Sequence, residues 1–316
     1  MTATTSDDVI ADDISADDAT SVVTAPFSSV RVECPAKTNL TLKVGPSRAE
    51  WGGRHALDTI YCGVGVYDTV TVSAKEPGSG FSLDLLGRHL GDLAFDKADM
   101  RRNHAVMALF ALAEEAGRSP DVAISLEKRI PVGAGLGGGS ADAAGTLLAL
   151  NDLWELHWPV ERLEPIAARL GADMPFCLHG GLARGTGYGE RIERLDATDR
   201  RIDATTIGRM VVGAYNAQLS TPDVYAMFDR IGRGRGDANH LQRAAVHLHP
   251  RSGKAIEYAM QAGATAAFVS GSGPTVIACV PDEATSASVC RTWTNRRCVD
   301  RLFETTAPVT PIISHE

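Results

Sequence analysis

Alternation of apolar and polar residues predicts several β-strands in the first half of the chain. Residues 64–74 (VGVYDTVTVSA) alternate β-branched and polar side chains, as a half-buried strand does. Residues 122–130 (VAISLEKRI) show the same alternation, and residues 81–86 predict a weaker strand. The apolar residues of 30–44 surround Pro35-Ala36-Lys37, which predicts two strand pieces separated by a turn.

A helical period of apolar residues appears between and after these strands. Residues 103–116 (NHAVMALFALAEEA) place apolar side chains on one face, and Gly117 follows them as a typical helix-ending residue. The same period predicts helices at residues 140–153, 159–170, 221–231 and 254–262. Short apolar strands are predicted at residues 210–215, 266–269 and 275–280, the last two joined by a glycine turn.

The mixture of strands and helices in both halves predicts a mixed α and β class. A chain of 316 residues favours two domains over one. We expect the boundary near Asp203, with one domain over residues 28–203 and a second over residues 204–310.

Charge is concentrated at the start of the chain. Hydrophobic residues make up 44% and charged residues 22%, which is ordinary for a globular protein. Residues 1–27 hold six aspartates and no Lys or Arg, so most of the net charge of -8 belongs to this segment. Its polar, acidic composition predicts a disordered tail. The remainder is nearly neutral, which does not indicate a nucleic-acid partner.

Targeting and cysteine patterns indicate a cytoplasmic protein. The start of the chain lacks a basic segment followed by an apolar one, so no secretory signal is expected. No stretch reaches about 18 consecutive apolar residues, and we expect no membrane span. The six cysteines are scattered without a C-x-x-C pair, as reduced thiols with no catalytic role would be.

The most unusual segment is residues 131–144, PVGAGLGGGSADAA, in which five of seven successive residues are glycine. Glycine loses much conformational entropy on folding, so this density indicates positive φ angles or close approach of another group. A helix is predicted directly after it, with Ser140 as its N-cap. The free N–H groups and the dipole of such a helix favour an anion. The segment therefore predicts a phosphate-binding loop.

Two common phosphate-binding patterns fit this loop incompletely. Residues 133–138 satisfy G-x-G-x-x-G, but helical sequence follows where a dinucleotide site needs a strand ending in an acid. Residues 133–140 resemble the P-loop, but Gly139 occupies the position of its lysine. Both interpretations are therefore disfavoured.

The loop instead resembles the hallmark P-x-x-x-G-L-G-S/G-S-x-A-A of the GHMP kinase superfamily. Four further segments are similar to the family within it that phosphorylates 4-diphosphocytidyl-2-C-methyl-D-erythritol. These segments are residues 35–40 (PAKTNL), 170–176 (LGADMPF), 185–190 (GTGYGE) and 270–275 (SGSGPT). The resemblance covers about residues 28–300.

This resemblance implies an α+β fold of two domains, with the active site in the cleft between them. The N-terminal domain would be ribosomal protein S5 domain 2-like, and the C-terminal domain would be an α/β-plait. The implied reaction transfers the γ-phosphoryl group of ATP to the 2-hydroxyl of the alcohol, in the non-mevalonate route to isoprenoids.

The resemblance also assigns roles to residues. Asp173 would be the general base, and Lys37 would keep it ionised and stabilise charge on the phosphoryl oxygens. Mg²⁺ would accompany ATP, with Ser140 near the metal. The implied ATP-binding residues are Pro131, Val132, Gly133, Ala134, Gly135, Leu136, Gly137, Gly138, Gly139, Ser140 and Ala141.

The part of the resemblance that concerns the cytidine base is weaker. The family shows D-G-Y-H, with a tyrosine that stacks on cytosine and a histidine that hydrogen-bonds to it. This chain has Arg54 in place of the tyrosine and keeps the histidine as His55. An arginine plane can stack on a base, and Tyr225 is expected to cover another face. Asn39 and Thr221 complete the implied substrate-binding residues.

Two other functions stay open on the sequence alone. Another GHMP kinase acting on a small alcohol such as homoserine or mevalonate would keep the glycine loop without needing His55 or Tyr225. A non-catalytic ATP-binding paralogue is the second, and Arg54 is the feature that leaves room for it.

Overall fold

Two β-sheets with packed helices form the structure, a computed structural model that describes residues 28–87 and 97–315. The acidic tail predicted at residues 1–27 lies outside the described residues. The strands are β1 (Ser29–Arg48), β2 (Arg54–Ala74), β3 (Ser82–Leu86), β4 (Val122–Glu127), β5 (Leu182–Thr186), β6 (Arg191–Leu195), β7 (Gly208–Ala214), β8 (Ala266–Val269), β9 (Val276–Cys279), β10 (Arg301–Ala307) and β11 (Ile312–His315). The helices are α1 (His104–Ala116), α2 (Gly138–Leu153), α3 (Val160–Leu170), α4 (Met174–His179), α5 (Thr221–Ile231), α6 (Gln242–Leu248), α7 (Pro250–Gln261) and α8 (Glu283–Arg296).

The first sheet has the strand order β11-β1-β2-β4-β3, and β5 pairs with both β2 and β6. Its pairs are antiparallel except for the parallel pair β3 and β4. The second sheet has the order β10-β7-β9-β8 and is antiparallel. Helix α2 is the central helix of the first half, because it contacts β1, β2, α1 and α4 and is buried along most of its length. The α+β class is confirmed.

Strand β1 corrects the prediction of two strand pieces around Pro35. The strand runs without a break from Ser29 to Arg48, and the register with β2 shifts between Pro35 and Ala36. Proline has no N–H to donate, and an irregularity in the ladder is where a sheet tolerates it. The strand therefore continues through the PAKTNL segment, and Lys37 lies between two shifts in the register with β2, at Pro35/Ala36 and at Asn39/Thr41.

Helix ends follow the local signals in the sequence. Asn103 caps α1 by accepting a hydrogen bond from the N–H of Ala105 at 2.9 Å, and Gly117 ends it with φ +61°. Helix α5 covers the predicted residues, with Ser220 as its N-cap. The short α4 was not predicted, because six residues that include Pro175 show no clear period.

The end of the chain returns to the first sheet. Strand β11 pairs with the beginning of β1, where Val30 lies opposite His315. Just before it, Val309 accepts a hydrogen bond from the N–H of Gly181 at 2.7 Å. The last described residues therefore add an edge strand to the sheet that the first ones begin. The domain boundary expected near Asp203 stays a prediction. Within the described ranges, no helix is both long enough and apolar enough to cross a membrane.

Candidate active site

One large cavity, of about 1010 Å³, brings together segments that are far apart in the sequence. Its walls are the glycine-rich loop, the beginnings of β2 and α5, the residues just before α4, and the turn at Gly271 and Ser272. A cleft of this size accommodates drug-sized ligands.

Lys37 and Asp173 form an ion pair that faces this cavity. The Nζ atom of Lys37 lies 3.0 Å from Oδ2 of Asp173. The lysine side chain is 6% exposed and the aspartate side chain 31%, so the carboxylate is the accessible partner. The backbone N–H of Lys37 donates to the carbonyl oxygen of Leu136 at 2.9 Å, which joins β1 to the glycine loop. Asp173 directly precedes α4 and makes no side-chain cap bond.

Tyr61 holds the other oxygen of this carboxylate. Its hydroxyl donates to Oδ1 of Asp173 at 2.9 Å, and its side chain is buried. Burial and the nearby Asp173 raise the pKa of Tyr61 well above its ordinary value, so the phenol keeps its proton. The sequence analysis missed Tyr61, because an aromatic residue within a strand reads as an ordinary core residue.

Asn39 orients the lysine from the same strand. Its Oδ1 accepts a hydrogen bond from Nζ of Lys37 at 3.0 Å, and its Nδ2 donates to Oγ1 of Thr59 at 2.7 Å. Asn39 also borders the cavity. The ammonium therefore has two fixed oxygen partners, Asn39 and Asp173, and its position is set before any ligand arrives.

The glycine-rich loop owes its composition to close contacts with other parts of the protein. Gly133, Gly135 and Gly137 have φ angles of +64°, +78° and +69°, which favour glycine. A Cβ at Gly135 would lie 2.3 Å from the carbonyl oxygen of Ser270, and one at Gly137 would lie 2.7 Å from Cγ of Lys37. The glycines let the loop pack against Lys37 and against a second glycine turn at residues 270–273.

That second turn is fixed to the loop by hydrogen bonds. The hydroxyl of Ser270 donates to the carbonyl oxygen of Gly135 at 3.0 Å, and Thr38 donates to the Ser270 hydroxyl at 2.9 Å. Asn239, which the sequence analysis did not single out as a site residue, donates to the carbonyl oxygen of Gly271 at 2.7 Å. Residues 270–275 (SGSGPT) are therefore hydrogen-bonded to the glycine-rich loop and help to hold it in place.

The beginning of α2 differs from the prediction. The helix starts at Gly138 with Gly137 as its N-cap, so the prediction that Ser140 caps it was wrong. Because Gly137 adopts the left-handed conformation, the helical turn can begin before a side-chain cap is reached. Ser140 lies in the first turn and borders the cavity.

Most of the predicted ATP-binding segment borders the cavity as well. The lining residues are Pro131, Val132, Gly133, Ala134, Gly135, Gly137, Gly138, Gly139 and Ser140. Leu136 and Ala141 are fully buried and do not line it. The side chain of Leu136 belongs to the core.

A second charged cluster is buried next to the loop. Nζ of Lys128 donates to Oδ2 of Asp68 and to Oδ2 of Asp142. Burial raises the pKa of Asp142 from its ordinary value of 3.8 to about 7, with Asp68 adding to the rise and Lys128 opposing it. Burial lowers the pKa of Lys128, but the two carboxylates outweigh it and raise this pKa above its ordinary value. The sequence analysis did not identify this cluster.

His55 and Tyr225 lie together on another wall of the cavity. Their rings stack with centroids 5.2 Å apart and an interplanar angle of 27°. Nδ1 of His55 lies 2.8 Å from the carbonyl oxygen of Gly45, and Nε2 lies 3.5 Å from a carboxylate oxygen of Asp229. Burial, followed by the charge of Asp173, raises the pKa of Tyr225, so its phenol stays protonated.

Arg54 borders the same cavity but rests against a tyrosine. Its guanidinium carbon lies 4.7 Å from the ring centroid of Tyr188, which also lines the cavity. Trp51 approaches that ring edge-on at 5.8 Å. Thr221, at the beginning of α5, has its hydroxyl 3.0 Å from that of Ser272. The predicted substrate-binding residues are thus brought to one cavity.

The described residues offer neither a reactive thiolate nor a cluster of metal ligands. All six cysteines are free, and burial raises the pKa of each of them, so none is a ready thiolate nucleophile. Among residues 28–87 and 97–315, no group of three or more His, Cys, Asp or Glu side chains is arranged to hold a metal.

Comparison with known proteins identifies the family to which the chain is similar. The family model for the GHMP kinases N terminal domain matches residues 103–181, and that for the GHMP kinases C terminal matches residues 224–300. The chain is 64% identical over 300 residues to a 4-diphosphocytidyl-2-C-methyl-D-erythritol kinase of Bifidobacterium adolescentis, covering 94% of this chain and 97% of that protein. A kinase of the same name from Mycolicibacterium paratuberculosis is 38% identical over 299 residues, covering 85% and 88%.

Solved structures show the same fold. A crystal structure of 4-(cytidine 5'-diphospho)-2C-methyl-D-erythritol kinase superposes with a TM-score of 0.68 at 28% identity, covering 88% of this chain and 99% of that one. Homoserine kinase from Cytophaga hutchinsonii superposes with a TM-score of 0.70 at 17% identity, covering 92% and 99%. The second similarity, at its low identity, shows the fold alone.

Proposed function

The chain belongs to the 4-diphosphocytidyl-2-C-methyl-D-erythritol kinases, a family of GHMP kinases, and we propose that Lys37 and Asp173 carry out its ATP-dependent phosphoryl transfer. The observation that carries this proposal is the ion pair of 3.0 Å between them, which opens on the cavity beside the glycine loop. The relatives' names favour this alcohol over homoserine and mevalonate, and over a non-catalytic paralogue.

Asp173 would act as the general base. The 2-hydroxyl oxygen of the alcohol attacks the γ-phosphorus of ATP, the bond to the β,γ-bridging oxygen breaks, and ADP leaves with that electron pair. The hydroxyl proton passes to Asp173. Lys37 and Tyr61 each hold one oxygen of this carboxylate, which orients it. Base catalysis of this kind contributes roughly 10²–10⁴-fold in rate.

Lys37 would have a second role towards the transferred group. Phosphoryl transfer depends mainly on alignment and on stabilisation of charge on the phosphoryl oxygens. The ammonium of Lys37 is nearly buried, so its attraction for those oxygens is only weakly screened. Its bonds to Asn39 and Asp173 fix it in place without reorganisation during the reaction.

ATP would bind along the glycine loop and the first turn of α2. Backbone N–H groups at a helix N-terminus and the positive end of its dipole attract phosphate. A Mg²⁺ ion bound here would take most of its oxygen ligands from ATP and water. Ser140 borders the cavity, and its hydroxyl would be the protein oxygen ligand. Such an ion would neutralise phosphate charge when bound.

The cytidine part of the alcohol would bind near His55, Tyr225, Arg54, Thr221 and Asn39. A backbone carbonyl only accepts hydrogen bonds, so Nδ1 of His55 donates to Gly45, while Nε2 lies 3.5 Å from the Asp229 carboxylate. The exocyclic amino group of cytosine is a donor, and Asp229, which borders the cavity, is an acceptor for it. A place in isoprenoid precursor synthesis fits the names of the relatives. A reducing, cytoplasmic location fits the free cysteines. Both stay predictions.

A panel of acceptor alcohols tests this function. ADP release from ATP is measured with the cytidylated methylerythritol, homoserine and mevalonate, each at the same concentration. We expect turnover with the first alcohol only. Measurable ATP binding without turnover of that alcohol would contradict the proposal and favour a non-catalytic ATP-binding protein. Equal turnover of homoserine or mevalonate would favour a different small-alcohol kinase.

A further inference from the structure

Tyr188 lies in a tight turn that the backbone fixes at the edge of the cavity. The N–H of Leu57 in β2 donates to the carbonyl oxygen of Gly187 at 2.8 Å, and the N–H of Tyr188 donates to a carboxylate oxygen of Glu190 at 2.7 Å. The hydroxyl of Tyr61 reaches the carbonyl oxygen of Gly189 at 3.4 Å. None of these bonds uses the Tyr188 side chain, so the turn does not depend on the ring for its position.

The ring of Tyr188 is supported from two directions. The guanidinium of Arg54 lies over it at 4.7 Å, and Trp51 meets it edge-on at an angle of 64°. Tyr188 and Arg54 border the cavity, whereas Trp51 does not. Arg54 and Tyr188 therefore contact each other and together form part of the cavity wall.

We propose that Tyr188 is the residue that stacks on the cytosine base, and that Arg54 is a positioning residue which holds the Tyr188 ring against the cavity. This inference rests on the proposed function. The sequence places arginine where the family resemblance expects the stacking tyrosine, and the fold brings a tyrosine from a different segment to that arginine. An aromatic face is a strong stacking surface for any base.

The geometry favours this assignment over direct stacking of Arg54 on the base. The Arg54 side chain is exposed, and one of its planar faces is occupied by the Tyr188 ring. Tyr188 is half-buried, with only two rotatable side-chain torsions, so it loses less freedom when a base binds. An arginine over a tyrosine contributes modestly at an exposed site, whereas removal of a stacked aromatic ring weakens binding by about tenfold or more.

Steady-state kinetics of single and double variants test the two roles. Tyr188→Ala should raise the KM for the cytidylated alcohol about tenfold, with kcat and the KM for ATP within about twofold. Tyr188→Phe should restore most of that loss, because the ring remains. Arg54→Ala should raise the same KM about threefold, and this effect should vanish in the Tyr188→Ala background.

The chain offers a matched control in Tyr258. This tyrosine is also half-buried, the guanidinium of Arg296 lies 5.4 Å from its ring, and neither residue borders the cavity. Tyr258→Ala should leave the KM for the alcohol within about twofold of the unmodified chain. A rise equal to that of Tyr188→Ala would mean that loss of any such pair disturbs the enzyme, and would overturn the proposal.

Binding of cytidine 5'-diphosphate separates this inference from the proposed function. Calorimetry is done with the ATP site filled by a non-hydrolysable ATP analogue, and Tyr188→Ala should weaken binding about tenfold. Unchanged binding in that variant, while the unmodified chain phosphorylates the alcohol, overturns the inference and leaves the function standing. An Arg54→Ala effect that persists in the Tyr188→Ala background overturns the positioning role. Absence of turnover in the unmodified chain removes the proposed function itself.

Discussion

Two clusters of lysine and aspartate lie against adjacent residues of the glycine-rich loop, and they differ in solvent exposure. Gly137 faces Lys37, whose partner Asp173 has a side chain that is 31% exposed. Gly138 lies next to Asp68, which belongs with Lys128 and Asp142 to the buried cluster. Side chains in that cluster are at most 5% exposed.

The comparison shows that residue type does not decide the role of a charged pair. In the open pair, one carboxylate balances one ammonium and can accept a proton from a bound alcohol. In the buried cluster, two carboxylates share one ammonium, and Asp68 also accepts hydrogen bonds from the N–H groups of Arg129 and Ile130 at 2.5 and 2.8 Å. This second cluster therefore fixes the chain just before the glycine loop.

The largest expected effect is loss of turnover in Asp173→Asn. The amide cannot accept the hydroxyl proton, so kcat should fall by roughly 10²–10⁴-fold while the KM for ATP changes little. Stopped-time assays of ADP release at saturating ATP and alcohol measure this. Asp142→Asn is the matched change in the buried cluster, and its kcat should stay within about threefold. A kcat of Asp173→Asn equal to that of the unmodified chain would remove Asp173 from the mechanism.

The two lysines should separate activity from stability. Lys128→Met leaves two buried carboxylates without their cation, and the free energy of unfolding should fall by about 3 kcal/mol, or roughly 10²-fold in the unfolding equilibrium constant. Lys37→Met should change stability by less than about 1 kcal/mol and lower kcat instead. Urea denaturation of both variants measures the first quantity. Equal destabilisation by the two substitutions would show that Lys37 and Lys128 do not differ in their contribution to stability.

A smaller effect is expected when a methyl group is added at Gly137, between the glycine-rich loop and Lys37. In Gly137→Ala, the new Cβ meets Cγ of Lys37 at 2.7 Å, so the lysine must move and kcat should fall about tenfold. Gly117→Ala is the control, because Gly117 has a similar φ of +61° with nothing within 4 Å of the added atom. That variant should lose about 1 kcal/mol of stability and keep its kcat. Equal kcat values for the two variants would show that the contact with Lys37 has no effect.

A further expected effect concerns the pH dependence of stability. The pKa of Asp142 is raised from 3.8 to about 7, so the folded protein binds a proton that the unfolded chain releases. The stability contributed by this proton is complete below pH 3.8 and is lost as the pH rises to about 7. Asp142→Asn should remove this loss, which is at most tenfold per pH unit in the unfolding equilibrium constant.

The difference between the two pH curves isolates Asp142, because all other carboxylates are common to both proteins. Besides Lys128 and Asp68, the titratable groups that face the cluster are Cys34 from β1, His104 from α1 and Cys177 from α4. Burial raises the pKa of both thiols, so they stay protonated over this range, and it lowers the pKa of His104, which both proteins share. Parallel curves would show that Asp142 stays ionised when folded.

The sequence predicted elements best where local signals agree. Helix α5 was predicted over its full length, and the structure shows Ser220 and Gly232 at its two ends. The glycine turn between β8 and β9 was predicted for the same reason. Strand β1 was predicted in two pieces, because Pro35 is a local breaking signal that only pairing with β2 overrides. The start of α2 was misplaced because a left-handed glycine cap carries no side-chain signal.

The site residues divide in the same way. Lys37 and Asp173 were identified through segments that resemble a known family, and their contact became visible only in the fold. Tyr61 and Asn239 act through hydrogen bonds to residues distant in the sequence, and a strand tyrosine or a loop asparagine has no pattern that reveals this. The contact between Arg54 and Tyr188 was equally unpredictable, since the two residues are 134 positions apart in the sequence.

Local chain chemistry determined by itself the ends of α1 and α5 and the strand alternation, because each depends on neighbouring residues and on backbone torsions. Only the tertiary structure decided which of two similar lysine–aspartate clusters keeps a partly exposed carboxylate and which is buried. The physical reason is that proton transfer and pKa depend on solvent access and on charges brought together from distant segments. Neither quantity is defined until the strands and helices have packed.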